Sequence, residues 1–179
     1  MDSLLQNRKL LLGVLGMFAL LGIAAGIFVN RQDQKESEAK NALYAAQKEM
    51  ATEARALQTT APKNPAEAGA VDFKRISVSE KLPRTVAALQ SVTTKYPGSR
   101  SSHEAEVLLG SLYLKHGDAQ VAQGWFEQAA SSARGAFEKS VAYLNLGSVQ
   151  EGQSRFKEAL ESYEKGASQG ETATYGELH

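Results

Sequence analysis

Cysteine is absent from the 179 residues, and its absence excludes disulfides, thiolate metal sites, a cysteine nucleophile and anchorage through a lipidated N-terminal cysteine. Net charge is absent too: 20 Lys and Arg balance 20 Asp and Glu. No whole-molecule field therefore draws the chain to nucleic acid or to an anionic surface. Proline is scarce, at 4 residues, and aromatics make up only 7%. Little interrupts a helical backbone, and small side chains let helices approach closely, so the composition points to an all-α protein. The length suits one modest domain plus an anchor.

Catalytic chemistry is thinly represented. The three histidines, His103, His116 and His179, have no paired spacing. His103-Glu104 begins like a zinc-protease HExxH, but Val107 stands where the second ligand is needed. His116 precedes a turn and is expected as a solvated helix-end residue, where a cation is mildly favourable. There is no Gly-rich phosphate loop, no G-x-S-x-G and no carboxylate cluster for a metal. Phe73-Lys74-Arg75 is too short a basic-aromatic cluster to argue nucleic acid. The chain does not read as an enzyme, and no cofactor or metal is expected.

What the sequence does have is one long apolar run. From Leu10 to Val29 it reads LLLGVLGMFALLGIAAGIFV without a charge. As a helix rising about 1.5 Å per residue, such a run covers the roughly 30 Å hydrocarbon core of a bilayer. A cleaved signal peptide is the rival reading, with Arg8 and Lys9 as its basic region and Gly22 and Ala24 as small residues at cleavage-like spacing. Against it, signal cores span about 7 to 15 residues, and this run continues through Ile27, Phe28 and Val29. Basic residues flank the run on both sides, so charge alone does not orient it. The short head, residues 1–9, is more naturally kept in the cytoplasm, with everything after residue 30 translocated. Gly22 and Gly26 form a GxxxG pair through which two anchors could meet as a homo-oligomer.

Residues 30–58 read as a juxtamembrane helix. Between Arg31 and Gln58 there is neither Gly nor Pro, and Ala39, Leu43, Ala46, Met50, Ala54 and Leu57 form one stripe at three- and four-residue steps. The charges, among them Lys40, Lys48, Glu49, Glu53 and Arg55, are expected on a solvated face. The stripe either packs on the following domain or pairs in a short coiled coil. Residues 59–82 then read as a linker, TTAPKNPAEAGA, followed by an ordered loop with Val71, Phe73, Ile76 and Val78 that leads to Pro83 at the first turn of a helix.

Residues 83–179 carry an internal repeat. Gly110 and Gly147 stand 37 residues apart, each preceded by Leu (Leu109, Leu146). After Gly110 come Tyr113, Gly117, Ala122, Phe126 and Ala129; after Gly147 come Gln150, Ser154, Ala159, Tyr163 and Gly166 at the same offsets. This pattern resembles the tetratricopeptide repeat, a helical hairpin with a period of about 34 residues. In that scheme Gly110, Ala122, Ala129, Gly147 and Ala159 are close approaches between helices, and Tyr113, Phe126 and Tyr163 fill the space beside them. Gly117-Asp118 and Ser154-Arg155 are the turns. The departures are the longer period, Glu106 where an aromatic is expected, and polar Gln150 where a core filler is expected. Val86, Leu89, Val92 and Tyr96 form a helix leading in, ended by Pro97-Gly98, and Glu171 to His179 begins a further helix. By helical phase the first helix of each hairpin presents Val107, Ser111, Leu114, Val141, Leu144, Asn145, Ser148 and Glu151 to a concave, protein-binding face. That groove is filled either by another protein or by the juxtamembrane helix, through Leu43, Met50 and Leu57.

A short head, one membrane helix, a juxtamembrane helix, the Tyr96-Pro97-Gly98-Ser99 approach and two hairpins together resemble the YfgM-like group. The resemblance implies an inner-membrane anchor, repeats displayed in the periplasm, and association with the Sec translocon and periplasmic chaperones. The function expected is thus a membrane-anchored protein-binding scaffold or chaperone adaptor linked to protein secretion. A structural subunit docked permanently in a larger machine is the alternative, and an organelle-surface receptor with cytosolic repeats is a third.

Overall fold

The computed structural model describes residues 2–60 and 77–176; within them, the side chains of most of residues 2–28, of Gln58 and Thr60, and of 171–176 lie outside the described set. Among the described residues every element is an α-helix, as composition leads one to expect. In chain order these are α1 (Asp2–Thr60), α2 (Val78–Lys81), α3 (Pro83–Lys95), α4 (Arg100–Lys115), α5 (Ala119–Ser132), α6 (Ala136–Gly152) and α7 (Phe156–Gly176). The chain divides into two units, residues 1–37 and 38–179.

In the first unit the backbone is the N-terminal part of α1. The expected membrane span, 10–29, lies outside the described side chains except at Met17, Gly22, Gly26 and Val29. Among the described residues no helix is long and apolar enough to cross a membrane. A Cβ added at Gly22 or Gly26 would meet nothing within 4 Å.

The second unit begins with the rest of α1, whose apolar stripe enters the core. Leu43 and Ala46 are buried with Val86, Leu89, Val92, Ala105 and Leu109, and Leu57 packs against the same cluster. Of the two readings of the stripe, packing on the domain is therefore the one observed. One charge departs from the solvated face expected of it: Glu53 is only 6% exposed. Its carboxylate accepts hydrogen bonds from the Arg84 and Thr85 backbone N–H groups at 3.2 and 2.8 Å and from Thr85 Oγ1 at 2.6 Å. The first N–H groups of a helix have no partner within it. Leu82 caps α3 without a side-chain bond and Pro83 opens the helix, so a carboxylate from another helix supplies what the local sequence lacks.

Two more expectations need correcting. The linker and loop placed at 59–82 fall partly within helices: Thr59 and Thr60 belong to α1, residues 61–76 lie outside the described set, and Val78–Lys81 is a helical turn. Ser77 and Glu80 form a capping box there, and Val78 is 1% exposed in the core, so local capping and one buried anchor hold a turn too short to persist alone. The further helix expected from Glu171 is instead the continuation of α7 to Gly176, since no proline lies between Phe156 and Gly176 to end it.

Each helix from α3 to α7 packs on the next, and α4 also touches α6. The 37-residue offset is written into the backbone. Gly117 N–H donates to Leu114 O and Asp118 N–H to Tyr113 O; Ser154 N–H donates to Glu151 O and Arg155 N–H to Gln150 O. Both turns use a left-handed residue, Gly117 at φ 90° and Ser154 at φ 63°, and glycine adopts that conformation at less cost than serine. Between the helices of each hairpin the glycines let rings in: a Cβ on Gly110 would lie 2.6 Å from Phe126 Cε1, and one on Gly147 2.6 Å from Tyr163 Cδ1.

Candidate functional site

α4 and α6, the first helices of the two hairpins, run beside a cleft of about 800 Å³. Arg100, His103, Glu104 and Val107 line it from α4, Phe137, Glu138 and Val141 from α6, and Arg134 and Gly135 from the connection between hairpins. The start of α6 is set locally. Gly135 is extended, at φ −121° and ψ 162°, and Glu138 folds back to accept from the Arg134 and Gly135 N–H groups at 2.8 and 3.3 Å. The same carboxylate faces Arg100 Nε at 3.8 Å, an ion pair spanning the mouth. With Arg100 exposed and the separation this long, such a pair contributes at most about 1 kcal/mol, so it shapes the rim more than it holds the fold.

His103 is buried, with Nδ1 3.1 Å from the Ala129 carbonyl oxygen. A carbonyl only accepts, so this nitrogen carries the proton. Glu104 is exposed and accepts from Gln47 Nε2 of α1 at 2.9 Å, which brings α1 to the rim. Within this frame Phe137 is 71% exposed. The cleft is thus an apolar strip of Val107, Val141 and Phe137 edged by charges of both signs. It suits apolar side chains presented by a helix or an extended chain.

The eight residues expected on the binding face do not act as one surface. Val107 and Val141 line the cleft. Ser111 and Ser148 are exposed. Leu114 packs against the core cluster, and so carries structural weight. Leu144 is 46% exposed, but its Cγ would lie 3.3 Å from a Cβ on Gly166, so it also seals α6 against α7. Asn145 donates through Nδ2 to the Val141 carbonyl at 2.8 Å and is occupied with its own helix. Glu151 accepts from the Tyr163 hydroxyl at 2.7 Å. That hydrogen bond, with burial and the carboxylate's charge, raises the Tyr163 hydroxyl above its ordinary value.

The positions read as structural sit between helices. Gly110, Tyr113, Ala122, Phe126 and Ala129 are buried in the first hairpin, Gly147 and Ala159 in the second, and Tyr163 is half-buried. Gln150, unexpected in a core, is 7% exposed and accepts from Ser162 Oγ at 2.7 Å. Glu106 is 3% exposed and accepts from Gln128 Nε2 at 3.0 Å and Ser132 Oγ at 2.5 Å across the hairpin. His116 differs from the solvated, mildly favoured cation expected: burial, then Lys81 and Lys115, hold its imidazole below the ordinary value. Among the described residues no three His, Cys, Asp or Glu side chains gather as metal ligands would.

Phe137, the exposed aromatic of the cleft, escapes a reading of the repeat motif because it lies nine residues before Leu146, where the motif begins in α6. Its signal was the spacing Phe137, Val141, Leu144, which extends the apolar stripe backwards at helical steps. No family model, no curated protein and no solved structure matches the chain.

Proposed function

We propose that this chain is a membrane-anchored scaffold of tetratricopeptide type, which holds an apolar helix or extended segment of another protein in the cleft between α4 and α6. The observation that carries this reading is Phe137, 71% exposed beside Val107 and Val141 in a cleft of about 800 Å³. An aromatic left open in a concave, charge-edged site is most simply explained by something that fills it. The uncharged run from Leu10 to Val29 supports the anchor. A cytoplasmic N-terminus, with the hairpins on the periplasmic side of a bacterial inner membrane, is the topology the YfgM-like resemblance implies. Partners in secretion, the translocon or periplasmic chaperones, are those the YfgM-like resemblance implies.

The test is a photocrosslinking residue placed at Phe137 in the full-length membrane protein, compared with the same probe at Tyr44, which is 70% exposed on α1. Adducts with other polypeptides should form from Phe137 and not from Tyr44. A reporter active only outside the cytoplasm, fused after His179, should be active. Equal adducts from both positions would remove the cleft as the binding site, and a silent reporter would reverse the topology.

A further inference from the structure

The repeat supplies its own template for the outer face of α7. Shifting α5 by 37 residues lays Ala119, Gln123 and Ala130 on Phe156, Leu160 and Ala167 of α7. In α5 these positions form the face that receives the next hairpin. Ala130 is buried against Ala142 of α6, Ala119 packs on the core, and Gln123 Oε1 accepts from Arg155 at the α6–α7 turn at 2.7 Å. In α7 the same face is uncovered, with Phe156 66% and Leu160 58% exposed and Ala167 exposed. The inner face of α7 is already spent on α6, through Tyr163 beside Gly147 and Gly166 beside Leu144.

We propose that this face is covered by a second copy of the chain, α7 packing antiparallel on α7 about a two-fold axis near Leu160. With the axis near Leu160, the two Leu160 side chains meet at the centre and Phe156 lies opposite Glu164 of the partner subunit, between the partner's Leu160 and the partner's Ala167. Lys157 and Glu164 lie along one flank of the stripe, and the two-fold sets Lys157 against Glu164 of the partner subunit, and Glu164 against Lys157 of the partner subunit. Both are exposed, and neither takes part in an ion pair among the described residues. Each charge meets its opposite twice, as a closed isologous contact allows. Head-to-tail stacking would give open filaments, and this self-complementarity offers no basis for it. The surface is separate from the α4–α6 cleft and stands or falls independently of it.

The absence of cysteine allows a direct test on the full chain in mild detergent. Leu160→Cys should give a covalent dimer on mild oxidation, and Tyr44→Cys, more exposed on α1, should not. By light scattering the parent should have the mass of two chains. Lys157→Glu and Glu164→Lys should each weaken the dimer at least tenfold, and the double exchange should restore it, with unchanged helical melting because both positions are exposed. A monomeric parent would overturn the proposal. So would a dimer indifferent to both charge changes, which would place the contact elsewhere, or crosslinking of Leu160→Cys to a different protein, which would give the face a foreign occupant.

Discussion

The two hairpins share a backbone plan and differ in how tightly it is filled. In α4–α5 the ring beside the close-approach glycine, Phe126, is 0% exposed, and the hairpin is covered by α3 and by the apolar stripe of α1. Tyr113, 6% exposed, reaches Ser79 beyond the hairpin at 3.0 Å. In α6–α7 the corresponding ring, Tyr163, is half-buried with its hydroxyl on exposed Glu151, and Gln150 replaces the aromatic of Tyr113. The lesson concerns position in an array. A unit covered on both sides can bury aromatics, whereas a unit covered on one side among the described residues keeps polar tips that tolerate water and an exposed apolar outer face.

The sharpest way to break this contrast is to remove the two rings. Phe126→Ala should destabilise the domain by about 3 to 5 kcal/mol, and Tyr163→Ala by clearly less, because part of that ring already meets solvent; equal losses in denaturant melts would abolish the distinction. The next effect comes from the glycines. Gly110→Ala drives a Cβ to 2.6 Å from an enclosed ring and should cost about 1 to 3 kcal/mol by overpacking. Gly147→Ala creates the same 2.6 Å approach to Tyr163, yet that ring can swing outward, so the melt should shift less.

A smaller effect sharpens the role of α1 in covering the first hairpin. Burial alone would push the Glu53 carboxyl up, but hydrogen bonds from Thr85 and Arg84 outweigh it and hold the group below its ordinary value of 4.5. A lowered folded value means the carboxylate adds stability that is fully present above pH 4.5 and is lost as pH falls through the folded value. Glu53→Gln should therefore cost about 1 kcal/mol at neutral pH and converge with the parent on acidification. A constant gap between the two melting curves down to low pH would show that the charge is not what stabilises.

Legibility in the sequence followed the range of the interactions. The turns at Gly117 and Ser154, the glycine-ring contacts and the apolar stripe of α1 are set by spacing within one or two helices, and spacing is what a sequence displays. The Glu53 cap joins residues 31 and 32 apart across the linker, and the shorter hydrogen bonds to Glu106 come from residues 22 and 26 away. Nothing local distinguishes these buried carboxylates from solvated ones. The α2 turn was readable, since Ser77 followed by Glu80 is a capping-box pattern, but the alternation of Val71, Phe73, Ile76 and Val78 suggested a loop. The lining of the cleft was legible only in part: helical phase chose Val107 and Val141, which line it, but it also chose Leu114, which packs on the core, and stopped one turn short of Phe137.

The claim that the α4–α6 cleft binds another protein is tested most directly by replacing Phe137 and Val141 with serine in the full-length chain and measuring both capture and melting. Capture is read from a photocrosslinking residue at Arg134, exposed on the rim. Adduct yield should fall at least tenfold while the thermal transition shifts little, because neither side chain belongs to the buried cluster. Unfolding of the double variant, or undiminished adducts from an intact one, would contradict the account.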